Sequence, residues 1–103
     1  PLPESLTIKT SKVNGLGLFA LENITLGTNM GMSHLKIGDT IFRTPLGGFI
    51  NHANEANCVK AELRMTAEDI KGHAYNYKKW NLITIKDIKE GEELTVRYTF
   101  YNV

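Results

Sequence analysis

Three short stretches gather side chains able to do chemistry. The first is Gly15-Leu16-Gly17, where glycine either turns between two strands or lets backbone come close to a ligand. A dinucleotide-binding fingerprint would need a third glycine, a following helix and an acidic residue about 20 positions on, and all are missing. The second runs from Gly47 to Cys58, with Asn51, Asn54, Asn57, His52 and Cys58 in its last eight positions. Asn-rich segments suit turns. His52 and Cys58 are two candidate metal ligands where zinc takes three or four, so no metal is expected. Cys58 as a nucleophile would need a lowered pKa, and nothing near it in sequence provides that. The third stretch holds Glu90, Glu92 and Glu93, which read as a solvated turn, followed by Tyr98, a core or lid aromatic near the chain end. His34, His73 and Trp80 have no decisive neighbours.

The elements that must position these residues are mostly strands. Leu6, Ile8 and Thr10 alternate with polar residues, and Leu16-Gly17-Leu18-Phe19-Ala20 follows a turn at Asn14-Gly15. Between Gly27 and Gly48, glycines, Pro45 and short apolar pieces such as Thr40-Ile41-Phe42 leave no room for a long helix. Val59, Ala61, Leu63 and Met65 alternate with Lys60, Glu62 and Arg64, which predicts a strand with one wet face. Thr66-Ala67-Glu68-Asp69 predicts a helical turn ended by Gly72, after which Trp80 to Ile85 returns to strand. A turn over Asp87–Gly91 leads to a last strand, Glu93 to Phe100, with Leu94, Val96, Tyr98 and Phe100 on one face.

Length and composition bound the rest. The 103 residues, 42% hydrophobic and 22% charged, fit a single globular domain over 1–103 and exclude disorder or a rod. Twelve Lys and Arg against eleven Asp and Glu argue against nucleic acid as a partner. One cysteine excludes an internal disulfide. No stretch reaches the ~18 apolar residues of a membrane span and the start has no signal-peptide pattern, so a soluble, intracellular protein is expected.

Taken in order, Gly15-Leu16-Gly17-Leu18-Phe19-Ala20, Phe49-Ile50-Asn51-His52 to Asn57-Cys58, and Ile85-Lys86-Asp87-Ile88 to Gly91-Glu92-Glu93-Leu94-Thr95-Val96-Arg97-Tyr98 resemble the SET domain, the family of S-adenosylmethionine-dependent protein lysine methyltransferases. The resemblance covers about residues 6–101. It implies a β-clip type fold of several small twisted sheets, with a C-terminal pseudoknot that brings Asn51-His52 beside the Tyr98 strand. It implies S-adenosyl-L-methionine bound by Asn14, Gly15, Leu16, Gly17, Asn51, His52 and Tyr98. Tyr98 is then the catalytic tyrosine, Val96 and Phe100 line the lysine channel, and the partner is a protein bearing a target lysine, histone-like substrates included. There is room for a homodimer, and no membrane or direct nucleic-acid partner is implied.

The chain also departs from the family. Asn51-His52-Ala53-Asn54-Glu55-Ala56-Asn57 replaces Asn-His-Ser-Cys-x-Pro-Asn, which predicts a looser loop and weaker cofactor binding. Arg97 stands where an acidic residue is common. Val96 and Lys60 occupy positions where an aromatic often limits methylation, which predicts a roomier pocket. His34-Leu35 replaces a channel aromatic, with Tyr75 and Tyr77 as candidate substitutes. The alternative function is a degenerate SET domain that binds cofactor or a lysine-bearing tail without turnover; a structural β-domain with neither property is the third reading.

Overall fold

The computed structural model describes residues 2–13 and 15–97. Among them the elements run β1 (Leu6–Thr10), β2 (Leu16–Ala20), β3 (Asn29–Ile37), β4 (Thr40–Arg43), α1 (Pro45–Phe49), β5 (Asn51–His52), β6 (Cys58–Glu68), β7 (Ala74–Thr84) and β8 (Glu93–Val96). The fold is mostly β, as expected. The strands join in the order β1-β2-β8-β6-β7-β3-β4, with β5 beside β8. The last described strand is therefore interior, antiparallel to β2 and parallel to both β5 and β6. The C-terminal residues of the expected pseudoknot, with Asn14, Tyr98 and Phe100, lie outside the described residues.

The core forms where these strands converge. Leu18, Cys58, Leu82, Leu94 and Val96 are fully buried there, joined by Leu6, Ile24, Ile50 and Ile88. Leu94 and Val96 lie on the face that the alternation assigned to them. The molecule is long, with extents of 47 × 23 × 20 Å, because the β6–β7 hairpin outruns this core.

Two local expectations change. The helical turn over Thr66–Asp69 is not formed; β6 continues to Glu68. Asp69 accepts hydrogen bonds on Oδ1 from the backbone N–H groups of Lys71 and His73, both at 2.9 Å, so its side chain closes a hairpin rather than starting a helix. Conversely, Pro45–Phe49 is a single helical turn despite two glycines. Pro45 suits its first position, Thr44 accepts the N–H groups of Gly47 and Gly48, and Leu46 is buried in the core. A Cβ on Gly47 would strike the Ser33 carbonyl and the His34 ring, so glycine is what lets α1 sit against β3.

Candidate functional site

β8 brings the second and third motifs together, and a carboxylate fastens the first to them. Asn51 on β5 lies opposite Thr95 of β8, and His52 opposite Val96. The Asn51 amide Nδ2 donates to the Leu16 carbonyl at 3.1 Å and to Glu93 Oε2 at 2.8 Å. Ser11 Oγ donates to Glu93 Oε1 at 2.7 Å. Glu93 thus ties the ends of β1 and β2 to β5 and β8. Glycine at 17 leaves room for this arrangement, because a Cβ there would displace the Glu93 carboxylate and crowd the Asn51 amide. The close approach read from Gly15-Leu16-Gly17 is, at Gly17, an approach to the protein's own side chains.

Glu93 is therefore no member of a solvated turn, and sequence reasoning missed it. The signal was its place opposite the glycine motif, in register with Phe19 of β2.

Asn57 performs a related task. Its Nδ2 donates to the Glu93 carbonyl and its Oδ1 accepts from the Thr95 N–H, each at 2.9 Å. One amide side chain completes the β8 backbone pairing as a neighbouring strand would. Asn51, His52 and Asn57 all flank the strand that leads to Tyr98. Val96 is buried in the core cluster.

Other candidates fall elsewhere. The Cys58 thiol is buried and pushed up to about 12 by that burial, so it stays protonated and is no nucleophile at neutral pH. Tyr77 pairs with Met65, seven residues along β6 from Cys58. That is roughly 23 Å at the rise of a strand, so Tyr75 and Tyr77 do not substitute for a channel aromatic beside Asn51-His52. They face Met32, Leu35 and Ile37 across a cavity of about 330 Å³ on the hairpin. His34 is buried, edge-on to Trp80, with Nδ1 3.1 Å from Ser33 Oγ. Burial foremost, then the positive charges of Lys60 and Arg43, bring its pKa down to about 4. Burial also lowers the pKa of Lys60.

The SET domain family model matches residues 32–99, two thirds of the chain. The chain belongs to the SET domain family. No curated protein matches. Solved structures do. A Plasmodium falciparum protein described as a candidate histone methyltransferase is 15% identical, with a TM-score of 0.66 and 96% of each chain covered. A humanized mutant of the Chaetomium thermophilum Polycomb Repressive Complex 2, bound to an inhibitor, is 22% identical with a TM-score of 0.66; 94% of this chain covers 15% of that one. The same complex with another inhibitor is 23% identical, with a TM-score of 0.65 and the same coverage. At such identities the likeness is one of fold. No helix among the described residues is long and apolar enough to cross a membrane.

Proposed function

We propose that this SET domain is an S-adenosylmethionine-dependent protein-lysine N-methyltransferase. The observation that carries the reading is the joining of Gly15-Leu16-Gly17, Asn51-His52 and the strand that leads to Tyr98 around the Glu93 carboxylate.

The donor set fits the cofactor. S-adenosylmethionine carries an ammonium, a carboxylate and a cationic sulfonium. Beside the glycine turn stand a carboxylate, a neutral amide, an imidazole and strand-edge backbone, so cationic and hydrogen-bonding ends both find matching chemistry. The Gly15–Gly17 backbone and the Asn51 and His52 positions would hold it. When bound, the cofactor supplies an activated methyl group.

This chain's residues would do the rest by alignment. Methyl transfer to lysine is an in-line displacement: the N–C bond forms as the S–C bond breaks, and the barrier falls chiefly through orientation. The attacking amine must first lose a proton, because an ordinary lysine has a pKa near ~10.4. A desolvated channel favours the neutral amine, and the released proton passes to solvent. Tyr98 is assigned the role of orienting the amine through its hydroxyl rather than that of a general base, because an unperturbed phenol is a weak acid that stays mostly protonated at neutral pH. Phe100 offers a flat ring to the lysine stem.

An assay with methyl-labelled cofactor on histone and mixed-protein substrates tests this. Transfer by the wild type that drops at least about a hundredfold in Tyr98→Phe is expected for loss of a positioning hydroxyl in the transition state. Equal activity in the two proteins would remove Tyr98 from the reaction. Calorimetric binding of cofactor with no transfer on any substrate would select the non-catalytic reading.

A further inference from the structure

Away from this site, the outer part of the β6–β7 hairpin and the β3–β4 hairpin border a groove of about 560 Å³, lined by Lys36, Arg64, Thr66, Asn76, Tyr77 and Lys78. Its cations stand in one row. Arg64 on β6 is directly opposite Lys78 on β7, and Lys78 is directly opposite Lys36 on β3. Directly opposed residues in antiparallel strands point to the same face, their Cβ atoms about 5 Å apart, where like charges destabilise the pair. Three cations therefore crowd one face within two strand spacings, roughly 10 Å.

Little on that face neutralises them. Glu62 approaches Lys78 at 3.6 Å and is the one carboxylate bridged to the row among the described residues. Alternation along β6 puts Lys60 on the same face as Glu62, Arg64 and Glu68, and Arg43 joins them from β4, opposite His34. The face thus carries five cations against two carboxylates, in a chain whose totals are nearly balanced at twelve and eleven. The inner end reports the same field, since Lys60 and Arg43 both disfavour protonation of His34.

We propose that this face is a docking surface for an acidic segment of a partner protein, laid across β6, β7 and β3. A row of opposed like charges costs folding free energy, and an anionic partner relieves it. A short extended segment matches the size: the row accommodates two or three carboxylates, and Thr66 and Asn76, paired on the same face, offer polar groups to a peptide backbone. Duplex nucleic acid would need a longer basic stripe and a more basic chain. The surface is independent of the methyltransferase reading.

Fluorescence anisotropy of a labelled octaglutamate peptide at low ionic strength, titrated with the whole chain, tests the proposal. Binding that weakens about tenfold or more in Lys36→Glu/Arg64→Glu is expected, with Lys89→Glu, in the turn before β8, within about twofold of wild type. The row's internal repulsion gives a second readout: Lys36→Gln should raise the melting temperature while weakening binding. Absence of binding by the wild type, equal binding by the double charge reversal, or tighter binding of duplex DNA than of the peptide would each overturn the proposal. A melting temperature lowered in Lys36→Gln would count against the strained row.

Discussion

The two ends of the β6–β7 hairpin follow one sequence pattern and meet opposite surroundings. At the inner end Cys58, Leu82 and Thr84 are shut off from solvent by β8, β2 and the residues around Thr25 and Thr28. On the opposite face, toward the outer end, Leu63 and Tyr75 are each 40% exposed, and Val59 on that face is 36% exposed even at the inner end, although Val59, Ala61, Leu63 and Met65 alternate as cleanly as any residues in the chain. Alternation thus specifies that a segment is a strand and which side chains share a face. Whether that face is dry depends on which other elements reach it. Apart from β8, the elements that cover the inner end, β2 and the residues around Thr25 and Thr28, lie about 40 or more positions from the residues they cover, and nothing described covers the outer end.

The comparison breaks first at the inner end. Leu82→Ala deletes a fully buried side chain from the core cluster and should lower unfolding free energy by about 2–5 kcal/mol, read by urea denaturation. A loss under about 1 kcal/mol would mean that this end is no better packed than the tip.

His34 sharpens it through pH. The folded imidazole has its pKa depressed to about 4 against an ordinary 6.5, so between those values the unfolded chain binds the extra proton. Stability is complete above about pH 6.5 and falls as the pH drops toward 4, by up to about 3 kcal/mol from this group. His34→Gln should flatten that limb of the stability profile. An unchanged limb would assign the acid sensitivity to other groups.

Asn57→Ala comes next. It leaves the Thr95 N–H and the Glu93 carbonyl on β8 without the side chain that pairs them, a cost of about 1–3 kcal/mol. Because β8 leads to Tyr98, cofactor affinity by calorimetry should weaken in the same variant. Asn57→Asp keeps the acceptor for Thr95 but sets a carboxylate oxygen against the Glu93 carbonyl, so it should be no more stable than Ala. Stability near wild type would mean that the bond to Thr95 alone holds β8.

Much of this was legible beforehand. The strands at Leu6–Thr10 and Leu16–Ala20 were read at their observed bounds, since apolar alternation is a local signal. The Asn51-His52 to Asn57 stretch was legible through the order of motifs, and the structure brings it against β8. Glu93 was not. Its partners Ser11 and Asn51 lie 82 and 42 residues away, and a carboxylate in a Glu-rich turn looks the same in sequence whether it meets solvent or an amide from another strand. The helical turn at Pro45 was hidden for a related reason. Glycines at 47 and 48 oppose a helix locally, while the burial of Leu46 and the fit of Gly47 under the His34 ring favour it from a distance.

Leu63→Ala, at the outer end, tests the smallest effect and separates two accounts of the hairpin. Leu63 lies opposite Lys79, in the same register line that pairs Leu35 with Phe42, so its side chain contributes to an apolar face that is partly open to water. Only the buried fraction of its surface contributes to stability, which gives a loss of about 0.5–1 kcal/mol, well below the same substitution at Leu82. The difference between the two variants therefore measures how unequally the two faces of a single hairpin are packed. Equal losses at the two positions would mean that the outer face is covered in solution, and concentration-dependent unfolding of the wild type would then identify a second copy of the chain as its cover.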